Sequence, residues 1–425
     1  MLDETLIHIK KLIPARLFKA LQRPYHWCLS FMAALWYRFP SRRLTDIAVT
    51  GTKGKSSTVE ILNAILEHAG RKTALSNTIR FKVGSESRRN LYKMSMPGRF
   101  AMQGLIREAV SAGCQYFIAE MTSQGSLMFR HRFIELDALI FTNLSPEHIE
   151  AHGSYENYAQ AKLDIARRLA KSSKHPTSLI VNADEKEAAR FLACDADKKL
   201  TYSLKDAEPY VIKKSGIDFT FDGMKMTSPL SGLFNLYNIL AAATAAKNAG
   251  VPTKVITRAV ASFGDIPGRV QKIQAGQDFD VIVDYAHTPD SLKKLYDAFA
   301  GRGIIAVLGG TGGGRDNWKR VEMGKLADAR ARIVILTDED PYDEDPRTIV
   351  DDVAKGITSK QPLIIMDRRE AIRRAIELAQ PGDAILITGK GTDPYIMGPN
   401  GTKTPWSDAD IAREEIKLYL ARRSY

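Results

Sequence analysis

The sequence predicts an α/β fold built on mostly parallel sheets. Short apolar runs end in polar loops again and again: "DIAVT" before "GTKGKSS", "YFIAE" before "MTS", "ALIFT" before "NLSPEH", "LIVN" before "ADE", "VIVD" before "YAHTPD", "IIAVL" before "GGTGGG", "IVILT" before "DEDPYDEDP" and "AILIT" before "GKGTDP". Helical stretches lie between many of them, as strand–helix–strand units require. In such sheets ligands bind beyond the carboxyl ends of the strands, and the polar residues of this chain gather there. No internal repeat or low-complexity tract breaks the series.

A length of 425 residues allows two or three domains. Hydrophobic content of 44% and charged content of 26% are ordinary for a soluble globular protein. Cys28, Cys114 and Cys194 are far apart, so no disulfide framework or paired-cysteine metal site is expected, and a reducing, cytoplasmic setting is predicted. No signal peptide with a cleavage site is seen, and the apolar run "WCLSFMAALWY" is too short to span a bilayer. The net charge of +12 favours anionic partners. The basic runs "RRN", "ARRL" and "DRREAIRRA" lack interleaved aromatics and read as solvated helix faces, so no nucleic-acid partner is expected.

Residues 1–43 carry eight Lys/Arg against two acidic residues, with Trp27, Phe31, Trp36 and Tyr37. Two readings stand: a small helical cap on the first domain, or a basic segment in peripheral contact with a membrane surface. Next, "LTDIAVT" reads as a strand. "STVEILNAILEHAG" reads as a helix, with Val59, Ile61, Leu62, Ile65 and Leu66 at helical spacing and Gly70 where its end needs positive φ. The turn between them is rich in glycine. A strict phosphate loop needs glycine where Val49 stands. The mechanism still fits: N–H groups at the helix start and the Lys55 ammonium would face an anion, and Ser56 or Ser57 could offer a hydroxyl to Mg²⁺.

Glu120 ends the next motif, and a carboxylate beside a phosphate loop suits a nucleotide-bound Mg²⁺. In "FTNLSPEHIEAHGSYENYAQAKLDIA", His148 and His152 are four apart with Glu150 between. Zinc would need further ligands, and an oxygen-rich Mg²⁺ site with one imidazole fits as well. On spacing alone Lys162 is a surface lysine. Asn235 and Asn238 open a helix, as a cap or as amides that read a base or ribose. "DIPGRV" at 265–270 reads as a hinge before a second α/β domain. Asp284 with His287 suggests a hydrolase triad, but no Gly-x-Ser-x-Gly elbow accompanies it; ribose binding is the other reading. "LGGTGGGRDNWKR" is a second glycine-rich turn, followed by Arg315, Asp316, Lys319 and Arg320, and could hold a carboxylate.

From "PSRRLTDIAVTGTKGKSSTVEIL" through "AEMTSQG", "GLFNLYNILAA", "IPGRVQKI", "VDYAHTPDSL", "RDNWKRVEMG" and "GKGTDPY", the chain resembles the Mur ligase family. These are ATP-dependent amide ligases of cell-wall synthesis. Within the family it is most similar to the branch that adds the third amino acid, and the resemblance covers roughly residues 38–425. The glycine loop TGTxGK[ST] is the family's own variant, which accounts for Val49. The resemblance implies a central P-loop ATPase-type domain over 44–266 and a C-terminal Rossmann-like domain over 267–425, after a short helical segment over 1–43. It implies ATP, two Mg²⁺ ions, an amino acid, a muramoyl-peptide-type acceptor and action as a monomer. Thr52, Lys53, Gly54, Lys55, Ser56 and Ser57 would hold the ATP phosphates, with Ser56 on one Mg²⁺ and Asn143 at the nucleotide. Glu120 and His148 would bind a second Mg²⁺, helped by Lys162, which falls on the family's carbamylated lysine. Lys55, Glu120, His148 and Lys162 are then the catalytic set. Asn238, Arg269 and Asp284 would contact adenine, γ-phosphate and ribose. Arg320, Asp338, Asp340, Tyr342 and Asp393 would face the incoming amino acid.

The implied chemistry is coherent. A carboxylate is a poor electrophile; transfer of the γ-phosphoryl group makes an acyl phosphate, from which an amine displaces phosphate. Cations neutralise the transferring group. The chain departs from the family pattern in two places. The family's N-terminal domain that grips the UDP-sugar has only about 43 residues in its place, and a lipid-linked acceptor would suit their basic, aromatic character. The Asp-Asn-Pro-Arg loop of diaminopimelate-adding members reads Glu339-Asp340-Pro341-Tyr342, followed by Asp343, Glu344 and Asp345, and Gly-Lys-Gly-His-Glu reads Gly-Lys-Gly-Thr-Asp. This points away from diaminopimelate and towards a basic amino acid such as lysine. Folate polyglutamylation and a non-catalytic nucleotide-binding role are the competing readings; "DYAHTPDSL" disfavours the first and the intact catalytic set the second.

Overall fold

The computed structural model describes residues 15–147, 149–213, 215–314 and 317–423. His148, Arg315 and Asp316 therefore lie outside the described residues, as do residues 1–14 of the basic N-terminal segment.

Two large sheets organise the chain. The first contains β1 (Thr45–Thr50), β2 (Thr73–Ser76), β3 (Arg80–Val83), β4 (Glu86–Arg89), β5 (Tyr116–Glu120), β6 (Ala138–Phe141), β7 (Ser178–Asn182) and β8 (Lys198–Tyr202). Their order is β4-β3-β2-β5-β1-β6-β7-β8, parallel from β2 to β8, with β3 and β4 added antiparallel at one edge. Parallel strands are covered on both faces and so run apolar without strict alternation. In β1, Ile47 and Val49 enter one core with the helices Lys55–His68 and Leu233–Asn248, while Ala48 enters the other with Arg99–Ser111 and Tyr155–Leu169. A small antiparallel sheet of β9 (Val211–Lys213), β10 (Gly216–Phe221) and β11 (Met224–Ser228) closes the first core.

The second sheet contains β12 (Gln271–Ile273), β13 (Asp280–Val283), β14 (Ile304–Leu308), β15 (Ile333–Leu336), β16 (Leu363–Ile364) and β17 (Ala384–Ile387). Its order is β12-β13-β17-β14-β15-β16, with only β12 antiparallel. Separate apolar cores cover its two faces. A two-stranded ribbon of β18 (Tyr395–Met397) and β19 (Lys403–Pro405) follows. The 265–270 segment is anchored rather than loose: at Gly268, φ +62°, a Cβ would come within 2.5 Å of the Thr392 backbone nitrogen. Only glycine lets this linker lie against the 389–393 loop.

The N-terminal helix Ala15–Trp36 packs on Arg99–Ser111. Ala33 and Ala34 are fully buried, and Trp27, Phe31 and Phe39 surround Phe133 edge-on. Among the described residues no helix is long and apolar enough to cross a membrane.

Two sequence expectations need correction here. "RRN" is no helix face, because Arg88 and Arg89 end β4 and Asn90 is buried. In "DRREAIRRA" Arg368 is buried, with a bidentate pair to Asp408 (Nε–Oδ1 and Nη2–Oδ2, both 2.8 Å). A basic run on a helix shows which residues can be solvated, not which of them a neighbouring helix will cover.

Candidate active site between two sheets

β1 delivers the chain into the turn 51–54, and the helix Lys55–His68 leaves it with Gly54 as N-cap at φ +80°. Both glycines of the turn are required by close approach. A Cβ on Gly51 would meet Thr142 Oγ1 at 2.0 Å, and one on Gly54 would meet Asn238 Oδ1 at 2.2 Å. The turn is fixed from the β6 end as well. Lys53 N donates to Asn143 Oδ1 (2.8 Å), Asn143 Nδ2 donates to Lys53 O (3.0 Å), and Thr52 Oγ1 pairs with Tyr158 Oη (2.9 Å). Thus Thr52, Lys53, Gly54, Asn143 and Asn238 are brought together. Asn238 Nδ2 also donates to Asn235 Oδ1 at 3.2 Å, so the two amides form one buried pair.

Lys55 folds back over the turn, donating to Thr52 O (2.9 Å) and lying 3.7 Å from Glu120 Oε1. Burial lowers its pKa, against the pull of Glu120 and Glu147. Glu120, at the carboxyl end of β5, accepts from Ser56 Oγ (2.7 Å), Ser95 Oγ (2.8 Å) and Thr78 Oγ1 (3.0 Å). Burial opposes its ionisation, but Lys55, Ser56 and Ser95 outweigh burial and hold it below the usual carboxylate range. Ser95 and Thr78 carry no motif, and sequence reading missed both.

Lys162 is not a surface residue. It is buried, its Nζ donates to Gly51 O at 2.6 Å, and it lies 4.8 Å from the Tyr158 ring centroid. Burial, with repulsion from Lys55, drives its pKa well below that of an ordinary lysine. Its helix presents Tyr158, Ala159, Ala161 and Leu163 to the core, and Lys162 shares that buried side. His152 is also buried, its Nε2 3.1 Å from Ser123 Oγ. Among the described residues no three His, Cys, Asp or Glu side chains converge as a metal cage.

Across the gap stands the second sheet. Asp284, just past β13, accepts from the backbone N–H groups of Val270 and Ala286 (both 2.7 Å), and burial raises its pKa. The Arg269 guanidinium lies 4.4 Å from the Tyr285 ring centroid. Lys53, Asn143 and Asn238 from one side and Arg269, Asp284 and His287 from the other line a single cleft of about 480 Å³.

Beyond Tyr285 the carboxyl ends of β15 and β17 bring together Asp340 and Asp393. Asp340 accepts from Lys390 Nζ (2.7 Å), Lys93 Nζ (2.9 Å) and Met397 N (2.8 Å). Asp393 Oδ2 lies 3.1 Å from Lys93 and 3.6 Å from Lys390. Lys93 comes from the first sheet's side, where Arg89 also donates to the carbonyls of Thr392 and Asp393. Burial works against the Lys93 charge, yet Asp393 and Asp340 hold its pKa above the ordinary value. No spacing rule links Lys93 to a loop 247 residues away.

The carboxylates of the acidic loop are already bonded within the protein. Asp343 accepts from Asn400 N, Asp345 caps the helix Pro346–Ala354, and Glu344 pairs with Arg320 at 2.7 Å. Of the three acids that suggested a basic amino acid, Glu344 is paired with a cation and the other two accept from backbone N–H groups. Arg320 is also unlike its expectation: it is buried, holding Glu344, Asp352 and Thr311 O rather than facing the cleft. Asp338 bonds the backbone of Glu339, and Tyr342 sits at φ +54° against Gly313.

Residues 49–246 match the Mur ligase middle domain and 268–391 the Mur ligase, glutamate ligase domain. A UDP-N-acetylmuramoyl-L-alanyl-D-glutamate–2,6-diaminopimelate ligase of Gloeobacter violaceus is 35% identical over 92% of this chain and 81% of its own. The chain belongs to the Mur ligase family. Mur ligases are ATP-dependent and form amide bonds in peptidoglycan precursor synthesis, and this chain is such a ligase. A UDP-N-acetylmuramyl-tripeptide synthetase of Roseiflexus is 34% identical over 91% of this chain and 81% of its own. A solved diaminopimelate ligase of the same description as the Gloeobacter protein superposes with TM-score 0.61 at 29% identity, over 89% of this chain and 79% of its own. Mycobacterium tuberculosis folylpolyglutamate synthase, solved with ADP and AMPPCP, shares the fold: TM-score 0.68, 15% identity, 86% and 93% coverage.

Proposed function

We propose that this Mur ligase joins an amino acid to a muramoyl-peptide-type carboxylate through an acyl phosphate, with ATP bound in the cleft between the two sheets. The observation that carries the reading is the junction of Lys55, Ser56 and Glu120 beside a cleft in which Lys53 and Ser57 face Arg269 and Asp284. The turn suits a triphosphate: its glycines leave no room for a Cβ, and Lys53, Lys55 and Arg269 are close enough to act on one another's charge. In this reading Asn238, which lines the cleft, would contact the base and Asp284 the ribose. We take the two sheets as the cores of two domains, meeting near residues 266 and 267.

The donor set also suits Mg²⁺, a hard cation that takes oxygen ligands. Ser56 would hold one ion; Glu120 and His148 would hold a second, helped by Lys162. When bound, Mg²⁺ supplies charge neutralisation on the transferring phosphoryl group. Burial favours the neutral amine of Lys162, the form that adds CO₂, which supports carbamylation there. Asp340 and Asp393, with Lys93 and Lys390, would receive the amino acid at the end of the cleft beyond Tyr285.

The deciding experiment is phosphate release from ATP with a panel of amino acids, with UDP-muramoyl-dipeptide present or absent. Turnover that needs both amino acid and acceptor is expected. ATP turnover that ignores the acceptor would overturn the reading.

A further inference from the structure

The helix Ala15–Trp36 is apolar on two opposite sides. One side is occupied: Ser30, Ala33 and Ala34 are buried, and Tyr37 Oη reaches the face of Gly104, where a Cβ would lie 3.1 Å away. The other side is open. Leu21, Tyr25, Cys28, Met32, Leu35 and Trp36 fall on one stripe at the helical repeat. The large members of the stripe are 51% (Leu21) to 76% (Trp36) exposed, and Cys28 is exposed too. No charge interrupts the stripe, which is about 22 Å long at 1.5 Å per residue.

We propose that this stripe docks the protein on the surface of an anionic lipid bilayer, with the helix lying in the interface. Charge selects this occupant. From Ala15 to Thr45 the chain has six Arg/Lys and no Asp or Glu, and Arg38, Arg42 and Arg43 are exposed just beyond Trp36. An apolar stripe on a described segment that carries cations and no anions suits anionic headgroups. Tyr25 and Trp36 are side chains that favour the boundary between hydrocarbon and water. The ring cluster around Phe133 fixes the helix to the body, so the stripe is a rigid platform.

The platform is also close to the chemistry. Arg99 donates to Met128 O and meets His26 Nδ1 (both 2.6 Å); Arg130 donates to Met96 O (2.5 Å); and Ser95, next to Met96, holds Glu120. Phe100, Leu127 and Met128, exposed at 41%, 50% and 38%, extend the apolar surface along this route. The inference rests on surface chemistry and stands whether or not the ligase reading above is right.

The test is flotation of the full chain with vesicles of phosphatidylcholine alone or mixed with phosphatidylglycerol. Flotation with the mixed vesicles is expected, weakening as salt rises. Leu35→Asp/Trp36→Asp should cut it by about tenfold or more, with melting temperature and ATP turnover in solution unchanged. Flotation equal to wild type in the variant, or no flotation of the wild type, overturns the proposal. So does a dimer in light scattering that the variant dissolves, since the stripe would then cover a second copy.

Discussion

At Gly54 a Cβ would lie 2.2 Å from Asn238 Oδ1, on a backbone at φ +80°. Gly54→Ala should therefore cost about 1–3 kcal/mol from overpacking alone, with strain from positive φ added, and weaken ATP binding more than stability predicts. Urea midpoints and nucleotide titration separate the two. The role of Lys162 has its own check. Lys162→Ala should be inactive and partly restored by short carboxylic acids; full activity without them would remove the carbamate. His131 sets a pH dependence. It is buried, and burial lowers its pKa despite Asp164, with Arg132 and Arg168 also opposing its charge. Below its unfolded pKa of about 6.5, the unfolded chain binds a proton that the fold resists. Stability present above that pH is lost as pH falls towards the folded pKa. His131→Phe should flatten the fall in urea midpoint between neutral and mildly acid pH. Residue placement was legible where local order dictates it, as at Gly54 and Lys55 between strand and helix. The burial of Lys162 was not, because a single cation in a helical run carries no sign of what will cover it.

Elements were the most legible scale. Strand, glycine turn and helix followed from β-branched residues, glycines and helical spacing, and the strand ends from recurring acids and asparagines. What escaped was contact between elements. Arg368 opens the helix Arg368–Leu378 inside a basic run, yet it pairs with Asp408 at the start of Asp408–Arg423, both almost wholly buried. Removing one partner strands the other. Arg368→Leu should destabilise the protein by about 3–5 kcal/mol, read from urea unfolding, whereas the exposed pair Arg413–Asp410 should contribute little.

At the scale of the molecule, the two sheets meet through Lys93 and Arg89 on one side and Asp340, Asp393 and Thr392 on the other. The α/β class and the position of the cleft could be read from strand ends. This clasp could not, since it depends on how two sheets built from distant parts of the sequence face each other. Lys93→Met leaves the two acids with Lys390 alone. It should shift amino-acid preference towards basic side chains by about tenfold and leave the KM for ATP unchanged, as a substrate panel would read.

The clasp also changes what entry into this site means. Lys93 is a tethered guest: its ammonium already occupies the space between Asp340 and Asp393. A free amine bound for the same pair arrives by exchange, not by filling a void. Its rival is held at an effective concentration of roughly millimolar or above, so weak apparent affinity there would measure the strength of the competitor and not the poverty of the pocket.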